Sequence, residues 1–228
     1  AGATVLAWSA LKRAVDLVGR ENVYFCVFEN NRAILDILEI IPEKNIIALN
    51  EKSFSGFLSS ALSAIRKLRK EKVDTAIDME FFSRASAIFA FMSGASVRVG
   101  LHRFNSEQPY RGNLMTHRIQ YSPYLHTSVF YRMLVESALQ DPGEIPMMKT
   151  PVLEVRELPV FKPAESELNS VNEKIRSAFG QEKHKLILLN PNASDMLPLR
   201  KWETTRFIEL GKKILASHPS VRVIITGA

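Results

Sequence analysis

Four places in this 228-residue chain combine residue types suited to a phosphorylated or hydroxyl-rich ligand. The richest is Asn190-Pro191-Asn192-Ala193-Ser194, followed by Arg200-Lys201-Trp202. Small polar residues with free amides, then two cations, then a helix start, supply what a departing diphosphate needs. These are hydrogen-bond donors and fixed positive charge at the developing anion. Trp202 reads as packing its helix onto a sheet rather than stacking on a base. The second place is Asp78-Met79-Glu80-Phe81-Phe82-Ser83-Arg84. Here a carboxylate ends an apolar run, Ser83 is placed to cap a helix, and Arg84 falls in that helix's first turn. A carboxylate and an arginine so spaced suit an acidic, hydroxyl-rich substrate. For Asp78 itself the plainer role, accepting hydrogen bonds from loop amides, is favoured. The third place, Gly100-Leu101-His102-Arg103, puts a His-Arg pair just past a strand, suited to a phosphate or carboxylate and equally to a solvated loop. The fourth, Gly2-Ala3-Thr4, lets backbone amides approach an anion closely, but reads as readily as an ordinary tight turn. The five histidines show no ligand spacing, so no metal is expected.

These residues need elements to carry them, and hydrophobic periodicity supplies a regular alternation. A helix is predicted through Ala7, Ala10, Leu11, Ala14 and Val18, stopping at Gly19. A strand over 23–28 comes next, then a short helix capped by Asn30-Asn31 and ending near Pro42. A strand over 45–49 and a helix through Leu58, Ala61, Leu62 and Ile65 follow. Strand 73–79, helix 83–92 and strand 97–101 come next; 104–124 reads as irregular, and helix returns from Tyr124 or Leu125 to about Leu139. Prolines 142, 146, 151, 159 and 163 interrupt every pattern from 141 to 163, which marks a linker. Beyond it lie helix 165–179, strand 185–189, a helix with Phe207, Leu210, Gly211, Ile214 and Leu215 on one face, and strand 221–225. Strands alternating with helices argue for βαβ units and parallel sheets. The expected architecture is two Rossmann-like domains facing a cleft, spanning 1–140 and 164–228 with the linker 141–163 between them. Ligands of such sheets bind beyond the carboxyl ends of the strands, where the four places above fall.

Bulk composition narrows the partners. Hydrophobic residues make up 46% and charged residues 24%, an ordinary globular balance. Thirty Lys and Arg against 24 Asp and Glu give a net charge of +6, which favours anionic ligands. The basic run 66–72 lies where a helix C-terminus welcomes cations, and no aromatics are interleaved with it as base-stacking platforms. It reads as a solvated face, with contact to an anionic membrane surface as a secondary role and no nucleic-acid partner. The single cysteine, Cys26, sits inside an apolar strand, which suits a reducing compartment. No apolar run approaches the roughly 18 residues of a membrane span, so a cytoplasmic protein is expected, peripheral at most to the inner membrane. The chain opens at Ala1 without a methionine and closes at Thr226-Gly227-Ala228. Both ends read as strand-to-helix junctions, the expectation being a fragment whose first strand is missing and whose second domain is incomplete.

The stretch Asp74-Thr75-Ala76-Ile77-Asp78, with Arg84-Ala85-Ser86-Ala87, Gly94-Ala95 and Arg98-Val99-Gly100, resembles the acceptor-domain core of glycosyltransferase family 9. Its members are the ADP-heptose:lipopolysaccharide heptosyltransferases and their relatives. Leu189-Asn190-Pro191-Asn192-Ala193-Ser194, Arg200-Lys201-Trp202, Arg206-Phe207 and Leu210 are similar to that family's NPGAS…KRWP…RF…L signature. The resemblance runs over nearly the whole chain in the right order. It implies an α/β fold of GT-B type, with an N-terminal acceptor domain and a C-terminal nucleotide-sugar domain. It also implies inverting transfer without an essential metal or cofactor, a nucleotide-diphosphate-sugar serving as co-substrate and a lipid-linked or phosphorylated glycan as acceptor. By position, Ser194 and Arg200 then contact the donor phosphates, with Asn192 and Lys201 beside them. Arg84 faces the acceptor, and Gly2, Thr4, His102 and Arg103 complete the acceptor side.

Two departures from the family pattern matter. The aspartate that follows the loop glycine in the family, thought to be the base, is Ala3 here; Glu80, at a neighbouring strand end, is the substitute. Glu203 stands where the family has proline after the tryptophan, which alters the helix start and little more. A second reading stays open: a nucleotide-sugar- or glycan-binding relative that has lost catalysis, favoured by Ala3.

Overall fold

The computed structural model describes residues 2–103, 110–143, 158–182, 184–191 and 201–227. The chain divides into two compact units, Ala1–Phe161 and Lys162–Ala228.

The first unit opens with α1 (Gly2–Leu6) and α2 (Trp8–Val18), then β1 (Phe25–Phe28), α3 (Arg32–Leu38), β2 (Ile46–Leu49) and α4 (Phe54–Lys70). It continues with β3 (Thr75–Ile77), α5 (Arg84–Met92), β4 (Val97–Leu101), β5 (His117–Ile119) and α6 (Thr127–Ser137). All strand pairs are parallel, in two sheets ordered β1-β2 and β3-β4-β5. Parallel strands need cover on both faces, and β2 shows how it is supplied. Ile46 joins a core with Leu11, Val27 and Leu35, while its neighbour Ile47 joins another with Ala64 and Leu68 of α4. Under the second sheet, Val99, Leu101 and Ile119 pack against Ala7, Ala10, Phe130, Leu134 and Val135. Arg13 of α2 pins α6 from outside, with Nε and Nη2 donating to the Glu136 carboxylate at 2.9 and 3.1 Å.

Local signals explain most of the element ends. Ser53 caps α4 by accepting from the Gly56 amide at 3.1 Å, and Lys67, Arg69 and Lys70 occupy its last turn, where the helix dipole favours cations. Two cations of that basic run are engaged within the molecule: Lys67 with the Lys44 carbonyl and Arg69 with the Met92 carbonyl. Cys26 packs near Ile47 and Leu68, and burial pushes its thiol up to about 12, which disfavours the thiolate.

Four expectations are corrected. Gly2-Ala3-Thr4 is not a turn but the first turn of α1, with Thr4 buried. The Asn31 side chain does not cap α3, which is entered through a 3-10 turn over Glu29–Asn31. The third strand is three residues, not seven. The stretch 104–124, read as irregular, contains β5. This strand is too short for a period-2 signal; it pairs with β4 along its whole length, and side chains add to that ladder: Thr116 Oγ1 accepts from the Arg98 amide at 2.8 Å, and the buried His117 ring contacts Thr116 Oγ1 and the Gln140 carbonyl.

The second unit carries α7 (Glu165–Phe179), β6 (Lys185–Leu189), α8 (Thr204–Ser217) and β7 (Val221–Ile225), with β6 and β7 parallel. Glu167 accepts from the Ala164 amide at 2.8 Å, securing the start of α7. Among the described residues, no helix is long and apolar enough to cross a membrane.

Candidate functional site

The carboxyl ends of β3 and β4 lie side by side, because Thr75, Ala76 and Ile77 pair with Val97, Arg98 and Val99. The loop leaving β3 is fastened residue by residue. The Asp78 amide donates to the Val99 carbonyl at 2.8 Å, extending the ladder. Phe81 turns into an aromatic cluster, with ring centroids 5.2 Å from Phe130, 5.5 Å from Tyr131 and 5.6 Å from Tyr121. Ser83 then caps α5, accepting from the Ser86 amide at 3.2 Å. Glu80, between the first two anchors, and Arg84, directly after the last, have exposed side chains. Glu80 is close enough to the buried Tyr131 for its charge to act on it: burial first, then Glu80, raise the Tyr131 hydroxyl to about 12.

Asp78 is a buried hub rather than a ligand. Its Oδ1 accepts from the Glu80 amide at 3.0 Å, and its Oδ2 lies 3.0 Å from Ser86 Oγ and 2.6 Å from Arg111 Nη2. Burial pushes its carboxyl up to about 6 against the opposing pull of Arg111. Gly100 makes room for this hub, since a Cβ there would sit 3.1 Å from the Asp78 Cβ and 3.1 Å from Met115 Cε. Arg111 escaped the sequence reading because it lies in the stretch 104–124, with no flanking periodicity to place it. Its only signal was that a buried strand-end Asp wants a cation.

At the end of β4, His102 is half-buried and its Nδ1 is enclosed without a hydrogen-bond partner. Burial lowers its pKa, with a hydrogen bond to the Ile119 backbone opposing the shift and the charges of Arg103 and Arg118 adding to it. The exposed Arg103 places a positive charge at this strand end, and its φ of 55° puts it in the left-handed region. Its amide donates to the Gly112 carbonyl at 3.0 Å and its carbonyl accepts from the Arg111 amide at 2.7 Å. Gly112, at φ 90°, takes a conformation that a side chain would strain.

The structure thus groups Glu80, Arg84, His102 and Arg103 at two adjacent strand ends. Gly2 and Thr4 lie in α1, which packs on α6, the helix that supplies Phe130 and Tyr131 to Phe81. Ala3 is exposed in the same helix. Arg98 is structural: its Nε donates to the Leu114 carbonyl at 2.8 Å. On the second unit, Lys201 is exposed three residues before α8. Trp202 packs on Phe207 of that helix at 4.8 Å. Asn192, Ser194 and Arg200 lie outside the described residues. Among the described residues, no group of His, Cys, Asp or Glu is arranged to hold a metal ion.

Parallel sheets flanked by helices in each of two units make an α/β fold of the GT-B type. Two solved structures share this fold along nearly the whole chain. One is the E. coli ADP-heptose LPS heptosyltransferase II, with TM-score 0.64 and 16% identity over 98% of this chain and 60% of that one. The other is a glycosyl transferase family 9 protein from Veillonella parvula, with TM-score 0.67 and 15% identity over 100% and 59%. The chain therefore spans about three fifths of the length of each. No family model matches the sequence, and no curated protein matches it.

Proposed function

We propose that this protein is a glycosyltransferase of the family 9, heptosyltransferase-like kind. It would move a heptose or similar sugar from a nucleotide-diphosphate donor to a lipopolysaccharide-core or other cell-envelope glycan. The observation that carries this reading is the pinned loop after β3, which presents an exposed carboxylate and an exposed arginine within a fold shared with two glycosyltransferases. Arg84 and Arg103 would hold the acidic acceptor through charge-assisted hydrogen bonds. The Glu80 carboxylate would take the proton of the acceptor hydroxyl as that oxygen attacks the anomeric carbon from the face opposite the leaving group. The configuration inverts, and the nucleoside diphosphate departs with the bonding electrons. Asn192, Ser194, Arg200 and Lys201 would neutralise the charge developing on it without a metal. The setting is the cytoplasm, with the net positive charge favouring a phosphorylated or lipid-linked acceptor at the anionic inner-membrane surface.

A second reading, a sugar-binding relative without catalysis, is favoured by Ala3 alone. Turnover separates the two. With ADP-heptose as the first donor tried, Glu80→Gln is expected to lower kcat by about 10²- to 10⁴-fold while donor binding stays within about twofold. Undiminished transfer in the variant would remove Glu80 as the base. Binding without transfer by the wild type, across phosphorylated glycan acceptors, would favour the second reading.

A further inference from the structure

Asp78 and Arg111 form an ion pair whose side chains are 2% and 1% exposed. A buried pair seldom stabilises a fold by itself, because desolvation of both ions offsets their attraction. This one also leaves Arg111 Nε enclosed without a partner, a further cost. What the pair holds explains it better than what it contributes. The Glu80 amide donates to Asp78 Oδ1, and the Glu80 carbonyl accepts from Arg111 Nη1. The two halves of one ion pair therefore grip the two main-chain polar groups of the same residue. With both groups tied, and with Phe81 wedged among Tyr121, Phe130 and Tyr131, the backbone at residue 80 has little freedom. The direction of its Cα–Cβ bond is set from below. Arg111 is in turn tied through its main-chain amide to the Arg103 carbonyl, so the same residue links the Glu80 loop, by its guanidinium, to the strand end that carries Arg103, by its backbone.

We infer that Asp78 and Arg111 are positioning residues that aim the Glu80 carboxylate, a role that rests on the reading of Glu80 as the base. Neither residue touches the reacting atoms. Their effect is to hold the base within the narrow range of positions from which proton removal is fast, where a displacement of about 1 Å can cost on the order of a hundredfold in rate.

The test combines a double-mutant cycle with amide hydrogen exchange. Arg111→Lys keeps the charge but cannot fork between the Asp78 carboxylate and the Glu80 carbonyl. Asp78→Asn, nearly isosteric, guards against a variant that fails to fold. Each is expected to lower kcat by about tenfold to a hundredfold with donor KM unchanged. In a Glu80→Gln background, each should cost less than about twofold more, because there is no base left to aim. Exchange of the Glu80 amide should accelerate by at least about tenfold in both variants, with protection in β4 retained. Equal losses in the presence and absence of Glu80 would overturn the positioning role, as would an unchanged Glu80 amide. If the wild type transfers no sugar while the Glu80 amide still responds, the enzymatic reading fails and the clamp stands.

Discussion

The two units are built from the same alternation of strand and helix, yet they bury their apolar residues very differently. In the first, Leu35, Val99 and Leu134 are fully buried and Phe130 is 1% exposed. In the second, Val221 is the one buried residue among those described, and Leu188, Ile208 and Ile225 are half or more exposed. The contrast is not one of pattern strength. The predicted bounds of α7, β6 and β7 match the observed elements residue for residue, and Phe207, Leu210, Gly211 and Ile214 share the half-buried face of α8. Helix and strand formation follows local periodicity and caps, whereas a core requires a second layer against each apolar face. The first unit has α2 and α6 against one sheet face; the described part of the second unit has two strands and two helices.

Three measurements test this contrast, in descending order of effect. Phe130→Ala removes a ring that bridges the core under β4 and the aromatic anchor of the Glu80 loop. It is expected to destabilise the first unit by about 3–5 kcal/mol in urea unfolding. A loss below about 1 kcal/mol would show that the first unit is packed no better than the second.

The next effect is the pH dependence of two carboxylates in the first unit, which should have opposite signs. Burial raises Asp78 to about 6 from an ordinary 3.8. Between those values the folded state holds a proton that the unfolded state has released, so stability from Asp78 falls as pH rises from about 4 to about 6. For Glu136 burial raises the pKa, but the hydrogen bonds and charges of Arg13 and Arg132 together more than reverse it, leaving it lowered. Its contribution is present above the ordinary glutamate range and is lost as pH falls through the lowered value. Unfolding of wild type, Asp78→Asn and Glu136→Gln from pH 3 to 7 separates the two. A wild-type minus Asp78→Asn difference that stays flat from pH 4 to 6 would mean that Arg111 at least cancels burial.

The smallest effect belongs to the second unit. Leu188, in the middle of β6, is 62% exposed, so Leu188→Ala should change stability by no more than about 0.5 kcal/mol. A cost of several kcal/mol in urea unfolding would reveal a packing partner for that strand face and remove the contrast between the units.

The candidate site was legible to the extent that its chemistry is local. Ser83 as a cap and Arg84 in the first turn of α5 follow from residue order, and so does the position of Glu80 just after a strand. Asp78 also behaves as its setting suggested, accepting from the amide of Glu80. The cation that completes that hub lies 33 residues away, and no spacing rule connects the two. His102 and His117 look alike in sequence. The structure separates them: both ring nitrogens of His117 have partners, whereas His102 Nδ1 is enclosed without one.

Residue order by itself determined the α/β alternation, most element bounds and the strand ends where charged residues gather, because backbone propensity, capping and periodicity act over a few residues. Tertiary structure alone decided that β5 exists, that Gly2-Ala3-Thr4 is helical, and that Arg111 reaches under the Glu80 loop. Each of these depends on groups far apart in the chain coming together: α1 packs on α6, and for β5 and Arg111 a hydrogen bond or an ion pair away from water outweighs local preference.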